Sequence, residues 1–309
     1  MDRNDAVVSV EWLHQNLENP EIKVLDASWY MPFENRDPFQ EYKEEHIPGA
    51  LFFDVDNISD LNTDLPHMLP SEEAFASAVT ALGITNDDKI VVYDGKGMYS
   101  APRLWWTFRV FGHDNIWVLD GGFPKWKSSG FEVQSSDSSS NEVSKSSSAI
   151  RAVEQHYKKN LASPATFKVL LRPHLIWTLD KIKQNIEDKT HQHIDARVRG
   201  RFDGTAPEPR KGVRSGHIPG SKCVPFPDML NSEQLFLPRD EIQIRFEKEG
   251  VSLENPIVVS CATGVTACIV ALGLYKLGKK EIPVYDGSWT EWECQPGAII
   301  VTVNSASSS

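Results

Sequence analysis

Hydrophobic and polar positions alternate along this chain at two different periods. Short β-branched runs, residues 90–93 (IVVY), 117–119 (WVL) and 257–260 (IVVS), are apolar almost throughout. They are separated by segments such as 266–277, where apolar residues recur at helical spacing. Gly278, followed by Lys279 and Lys280, stands where a helix stop is expected. Strand, helix and strand at this pitch predict an α/β fold, a mostly parallel sheet flanked by helices on both faces. In such folds the working residues sit in loops just past the carboxyl ends of the strands.

The pattern occurs twice. "VLDAS" around Asp26 matches "HIDAR" around Asp195, and "EHIPGA" around His46 matches "GHIPGS" around His217. "KIVVYDGKG" around Asp94 matches "PIVVSCATG" around Cys261, and "VLDGGFPKW" around Asp120 matches "VYDGSWTEW" around Asp286. The offsets are 169, 171, 167 and 166, in that order, so the chain reads as two tandem copies of one domain. Residues 134–148, "QSSDSSSNEVSKSSS", carry few apolar side chains and read as a solvated linker. The expected division is an N-terminal domain over 1–133, a linker over 134–164 and a C-terminal domain over 165–309.

Charge narrows the partners. The chain of 309 residues carries 32 Lys and Arg against 43 Asp and Glu, a net charge of −11, which disfavours nucleic acid and anionic membrane surfaces. An anionic small molecule would need a local basic site, and residues 197–214 supply one with Arg197, Arg199, Arg201, Arg210, Lys211 and Arg214. No apolar stretch approaches the roughly 18 residues of a membrane span, and the N-terminus resembles neither a signal nor a transit peptide. The cytosol is the expected compartment, with mitochondria the alternative for a longer isoform. Four cysteines, Cys223, Cys261, Cys268 and Cys294, show neither paired nor zinc-like spacing, so no metal and no disulfide framework is expected.

Cys261 is the candidate nucleophile, because it follows an apolar strand and precedes an apolar helix. At such a turn, backbone N–H groups and the helix dipole favour a thiolate. Gly264 lets the loop close, and Thr263 and Thr266 add hydroxyls. The competing reading is a small core residue, which is the better reading for Cys268 and Cys223. Cys294, among polar residues, is expected to be exposed. Asp94 occupies the position of Cys261 in the first copy, so one covalent centre per chain is expected.

The stretches "LDASWYMP", "HIPGALFFDVD", "LPHMLP", "VVYDGKG", "WVLDGG", "DGTAPEPRKGVRSGHIPGSK", "SCATGVTAC" and "VYDGSWTEW" resemble the two-domain rhodanese-like sulfurtransferases over nearly the whole chain, most closely the plant type that uses 3-mercaptopyruvate. The resemblance implies ping-pong transfer of a sulfane sulfur: a cysteine thiolate takes sulfur from a donor and passes it from a persulfide to a thiol such as thioredoxin or glutathione, or to cyanide. It implies Cys261 as nucleophile, and Arg201 and Arg210 as the arginines that hold the substrate. It further implies a triad of Thr263, Asp56 and His67, with Gly264, Val265 and Thr266 lining the substrate loop. No cofactor is called for, and a monomer is expected.

Donor choice follows from charge. The rhodanese branch of the family places Arg and Lys directly after the cysteine, where this chain has the neutral Ala262 and Thr263. Mercaptopyruvate is therefore expected as the main donor, with weaker use of the dianion thiosulfate. The mercaptopyruvate branch usually has Gly at the position of Ala262; because the other branch carries Arg there, Ala262 is expected to be tolerated. A thiosulfate-preferring enzyme and a non-catalytic docking module stay open as alternatives. A C-x5-R phosphatase does not, since Ala267 stands where its arginine would be.

Overall fold

The computed structural model describes residues 5–137, 139–158 and 164–303. It divides into two compact units, Met1–Arg172 with Ser232–Leu235, and Pro173–Asn231 with Phe236–Ser309.

The first unit runs β1 (Val7–Val8), α1 (Val10–Asn16), β2 (Ile22–Asp26), α2 (Pro38–Glu44), β3 (Leu51–Phe52), α3 (Glu72–Ala81), β4 (Lys89–Tyr93), α4 (Ala101–Val110), β5 (Ile116–Leu119), α5 (Gly122–Ser128) and α6 (Asn141–Tyr157). The second runs β6 (Ile176–Trp177), α7 (Leu179–Asp188), β7 (Gln192–Asp195), α8 (Arg199–Asp203), β8 (Lys222–Cys223), α9 (Arg239–Lys248), β9 (Ile257–Ser260), α10 (Ala267–Lys276), β10 (Val284–Tyr285) and α11 (Ser288–Glu293). Strand order is β1-β5-β4-β2-β3 in one sheet and β6-β10-β9-β7-β8 in the other. The two orders are the same once each strand is replaced by its counterpart in the repeat, and every strand pairing named is parallel. Parallel neighbours cannot be joined by a tight turn, so helices complete the crossovers.

Both central strands are apolar because both their faces are covered. Val91 and Tyr93 of β4 pack with Val10 and Leu13 of α1 and Trp126 of α5 in one buried cluster. Strand alternation sends Ile90 and Val92, equally buried, to the opposite face. The second unit has a matching cluster of Trp177, Ile182, Val258, Tyr285, Trp289 and Trp292. Helix starts follow the sequence: Ser9, Ser71 and Ser140 each accept a hydrogen bond from the backbone N–H three residues on.

One expectation fails. Residues 141–157, placed in the linker, form α6, a four-to-five-turn helix of the first unit. Val143, Ala149 and Val153 bury on one side of it, and the Ser146 hydroxyl accepts from Phe52 N at 2.9 Å while donating to Glu142 O at 2.8 Å. A stripe at spacings of three and four suffices to bury a helix even in a serine-rich segment. The first unit accordingly extends past residue 133: the backbones of Leu170 and Arg172 bond to Phe111 and Val110, and Arg172 pairs with Asp114 at 2.5 Å. Residues 138 and 159–163 of the expected linker, and the chain ends 1–4 and 304–309, lie outside the described residues.

Candidate active site

Cys261 follows the last residue of β9 directly, and residues 261–266 lead into α10 with Thr266 at its N-cap. The side chain is buried, at 1% exposure. Its loop is tied to the start of α11: Ser288 Oγ accepts from Cys261 N at 3.1 Å and donates to Tyr285 O at 2.7 Å. Trp289 N donates to Cys261 O at 3.0 Å, and both Thr290 N and Thr290 Oγ1 donate to Ala262 O. Ser288 holds a left-handed backbone, φ 53°, and its counterpart in the first copy, Gly122, has φ 51°. A side chain in that region costs about 1 kcal/mol, which the two hydroxyl bonds offset. In the strands that carry the nucleophile, His193 Nε2 lies 2.7 Å from the hydroxyl of Ser260, the residue before Cys261; burial lowers this histidine to about 4, so it is neutral near pH 7.

Thr263, Gly264 and Val265 are buried with the cysteine, and Thr266 is half-buried. Gly264 has φ 77°, as Gly97 at the matching place has φ 100°. Ala262 is not among the described residues with positive φ, so its methyl group meets no backbone penalty, as expected. The first copy is tighter at the same position: a Cβ on Gly95 would fall 2.2 Å from the Tyr30 hydroxyl, which would have to move.

The first copy shows what this loop holds. Asp94 Oδ2 accepts from the backbone N–H groups of Tyr99 at 2.7 Å, Ser100 at 3.0 Å and Ala101 at 2.9 Å, and Oδ1 accepts from Lys96 N at 2.9 Å. A strand-to-helix loop of this design cradles a negative charge on four N–H donors at the start of α4. Sequence reasoning recognised Asp94 only as a lost cysteine; the acidic replacement was itself the signal.

The basic stretch is less cationic than its composition implies. Arg197 is fully buried between Asp195 and Glu208, Arg199 pairs with Glu249 at 2.6 Å, Arg201 with Glu208, and Arg214 with Glu293 at 3.2 Å. Four of the six charges counted in the sequence are thus matched by carboxylates, three of them from outside the basic run or at its edge. Arg210 is half-buried in the same loop region. In the first unit Asp56 and His67 come together: His67 Nδ1 is 3.0 Å from Asp56 Oδ1, and Trp29 Nε1 donates to Asp56 Oδ2 at 3.1 Å. The Trp29 ring sets its edge against His67, with centroids 4.7 Å apart. His67 is buried, with φ 64°, and Arg103 Nη2 donates to its carbonyl at 2.5 Å. A strained, buried histidine oriented by a carboxylate is the arrangement a proton-handling group needs. The remaining cysteines stand as expected: Cys223 and Cys268 are buried and Cys294 is exposed. Among the described residues, no group of three or more His, Cys, Asp or Glu could hold a metal ion.

Comparison with known proteins agrees with this architecture. The model of the rhodanese-like domain matches residues 9–129 and again 178–295. The thiosulfate/3-mercaptopyruvate sulfurtransferase 1, mitochondrial, of Arabidopsis thaliana is 60% identical over 98% of this chain and 80% of its own length. The 3-mercaptopyruvate sulfurtransferase of Rattus norvegicus is 43% identical over 96% of this chain and 95% of its own. Among solved structures, the 3-mercaptopyruvate sulfotransferase of Escherichia coli superposes with a TM-score of 0.77 at 33% identity, covering 92% of this chain and 99% of that one. Two matching domains, of which the second keeps the cysteine, place the chain in the rhodanese family, among its tandem-domain sulfurtransferases.

Proposed function

We propose that this chain moves a sulfane sulfur from 3-mercaptopyruvate, through a persulfide on Cys261, to a thiol acceptor or cyanide, and releases pyruvate. The observation that carries the reading is the loop after β9: its twin in the first copy cradles a carboxylate on four N–H donors, and here a cysteine stands in the carboxylate's place.

The Cys261 thiolate attacks the donor's sulfur. A sulfur–sulfur bond forms, the carbon–sulfur bond breaks, and its electron pair passes to carbon as the enolate of pyruvate, which takes up a proton. An acceptor thiolate then attacks the outer sulfur, leaves as the persulfide and returns Cys261 to the thiolate. Within this scheme Gly264, Val265 and Thr266 line the loop that holds the anionic sulfur, and Arg201 and Arg210 hold the donor's carboxylate and keto oxygen as guanidinium forks. Asp56 orients His67 as a proton-handling pair of the first unit, and Thr263 adds a hydroxyl to the loop of Cys261. Neutral Ala262 and Thr263 favour the monoanionic donor over thiosulfate.

Thioredoxin, glutathione or cyanide serves as acceptor and the chain acts as a monomer. A relative named as mitochondrial supports the mitochondrion alongside the cytosol as the compartment. Thiosulfate as an equal or preferred donor is the second reading, favoured by the two donors in that relative's name. Thiocyanate formation with cyanide as acceptor, measured with each donor, separates them: mercaptopyruvate is expected to be used more efficiently. Equal or better use of thiosulfate would reverse the assignment, and no turnover with either would leave a docking module.

A further inference from the structure

Two carboxylates and two arginines of the second unit form a line of ion pairs, Asp195–Arg197–Glu208–Arg201. Arg197 donates through Nη2 to Asp195 Oδ2 at 2.6 Å and through Nη1 to Glu208 Oε1 at 2.7 Å, and its guanidinium lies over the Trp289 ring, 4.2 Å from the centroid. Glu208 turns its other oxygen to Arg201, accepting from Nε at 3.0 Å and from Nη2. The Glu208 side chain is 3% exposed and that of Arg201 17%, so solvent screens the pair weakly. The four charges sum to zero.

We propose that Glu208 is a specificity-determining residue: by neutralising Arg201 it adjusts the charge of the donor site to a monoanion rather than a dianion. The inference rests on the assignment of Arg201 to the donor. Charge–charge energy scales with the product of the charges, so one negative charge beside the site opposes a dianion twice as strongly as a monoanion. Mercaptopyruvate brings one carboxylate, whereas thiosulfate brings two charges. Glu208 is suited to this role because its two oxygens are divided between two arginines: Arg197 fixes the carboxylate in place, and the carboxylate fixes the plane of the Arg201 fork.

The test is the ratio of kcat/KM for thiosulfate to kcat/KM for mercaptopyruvate, in the full chain, for the unaltered protein, Glu208→Gln and Glu208→Asp. A ratio is insensitive to the fraction of protein that folds. Glu208→Gln is expected to raise it on the order of tenfold, the change produced by about 1.4 kcal/mol, while Glu208→Asp, which keeps the charge, leaves it within about twofold. An unchanged ratio in Glu208→Gln, or an equal rise in Glu208→Asp, would overturn the proposal. Titration calorimetry with sulfate and with pyruvate covers a variant that turns over neither donor. A shift of preference towards sulfate in Glu208→Gln supports the role of Glu208, and an unshifted preference overturns it. Unaltered protein inactive on both donors would defeat the sulfur-transfer reading, and the anion titration would still decide the role of Glu208.

Discussion

Replacing Asp94 by Asn tests the cradle in the copy that has no cysteine. The carboxylate takes four N–H donors, three on Oδ2 and one on Oδ1. An amide has one acceptor oxygen, and its best placement keeps the three bonds at the Oδ2 position and turns the NH2 towards Lys96 N. One donor is then left facing another, which costs about 1–3 kcal/mol, and three bonds fall from charged to neutral strength, at about 0.5–1 kcal/mol each. The sum is about 2.5–6 kcal/mol. Asp94 is 1% exposed, so water does not make up the loss. The assay is urea denaturation followed by tryptophan fluorescence, with Trp105 and Trp106 of α4 fully buried as reporters of the first unit. A destabilisation below about 1 kcal/mol would refute the cradle as a charge-holding device.

Further outcomes follow from other buried groups. Ser288→Ala removes both hydroxyl bonds but keeps a side chain in left-handed backbone; it should cost about 2 kcal/mol by thermal or chemical melting, and Ser288→Gly about 1 kcal/mol less than that. If the glycine variant were the less stable of the two, backbone strain would not be the controlling term. Burial raises Asp26 to about 6, because Ser28 stands where Arg197 neutralises Asp195 in the second copy. A carboxyl raised on folding is more readily protonated in the folded state, so it lowers stability as pH climbs from about 4 to about 6, by at most about 3 kcal/mol. The stability of Asp26→Asn relative to the unaltered protein should rise through that window in urea titrations at several pH values, and a pH-independent difference would contradict the argument. A fragment ending at residue 133 lacks α6 and should fail to fold, whereas one ending at residue 172 should give a cooperative melt; equal melts would return α6 to the role of a linker.

The repeat and the strand runs were legible because β-branched residues buried on both faces of a parallel sheet leave little else in the sequence. Cys261 was legible for a related reason: a strand of four buried residues and a helix with eight buried residues isolate the loop between them. Helix α6 was hidden because only Val143, Ala149 and Val153 mark its buried side, and the serines that surround them read as solvated. The basic stretch misled because ion pairing is tertiary: Glu249 and Glu293, which answer Arg199 and Arg214, lie tens of residues away. Ser288 was invisible as a support for Cys261 because its role depends on a left-handed backbone and on strands β9 and β10 being neighbours. The pairing of Asp56 with His67 came from family resemblance; ten residues of loop lie between them, with no periodicity to bring them together.

The central claim is that sulfur resides on Cys261 between the two halves of the reaction. Intact-protein and peptide mass spectrometry after treatment with 3-mercaptopyruvate, without an acceptor, tests it most directly. The unaltered chain should gain the mass of one sulfur atom on the peptide containing Cys261, lose it on addition of a thiol or cyanide, and show no gain as Cys261→Ser. A gain that persists in Cys261→Ser, or that maps to the exposed Cys294, would contradict the account.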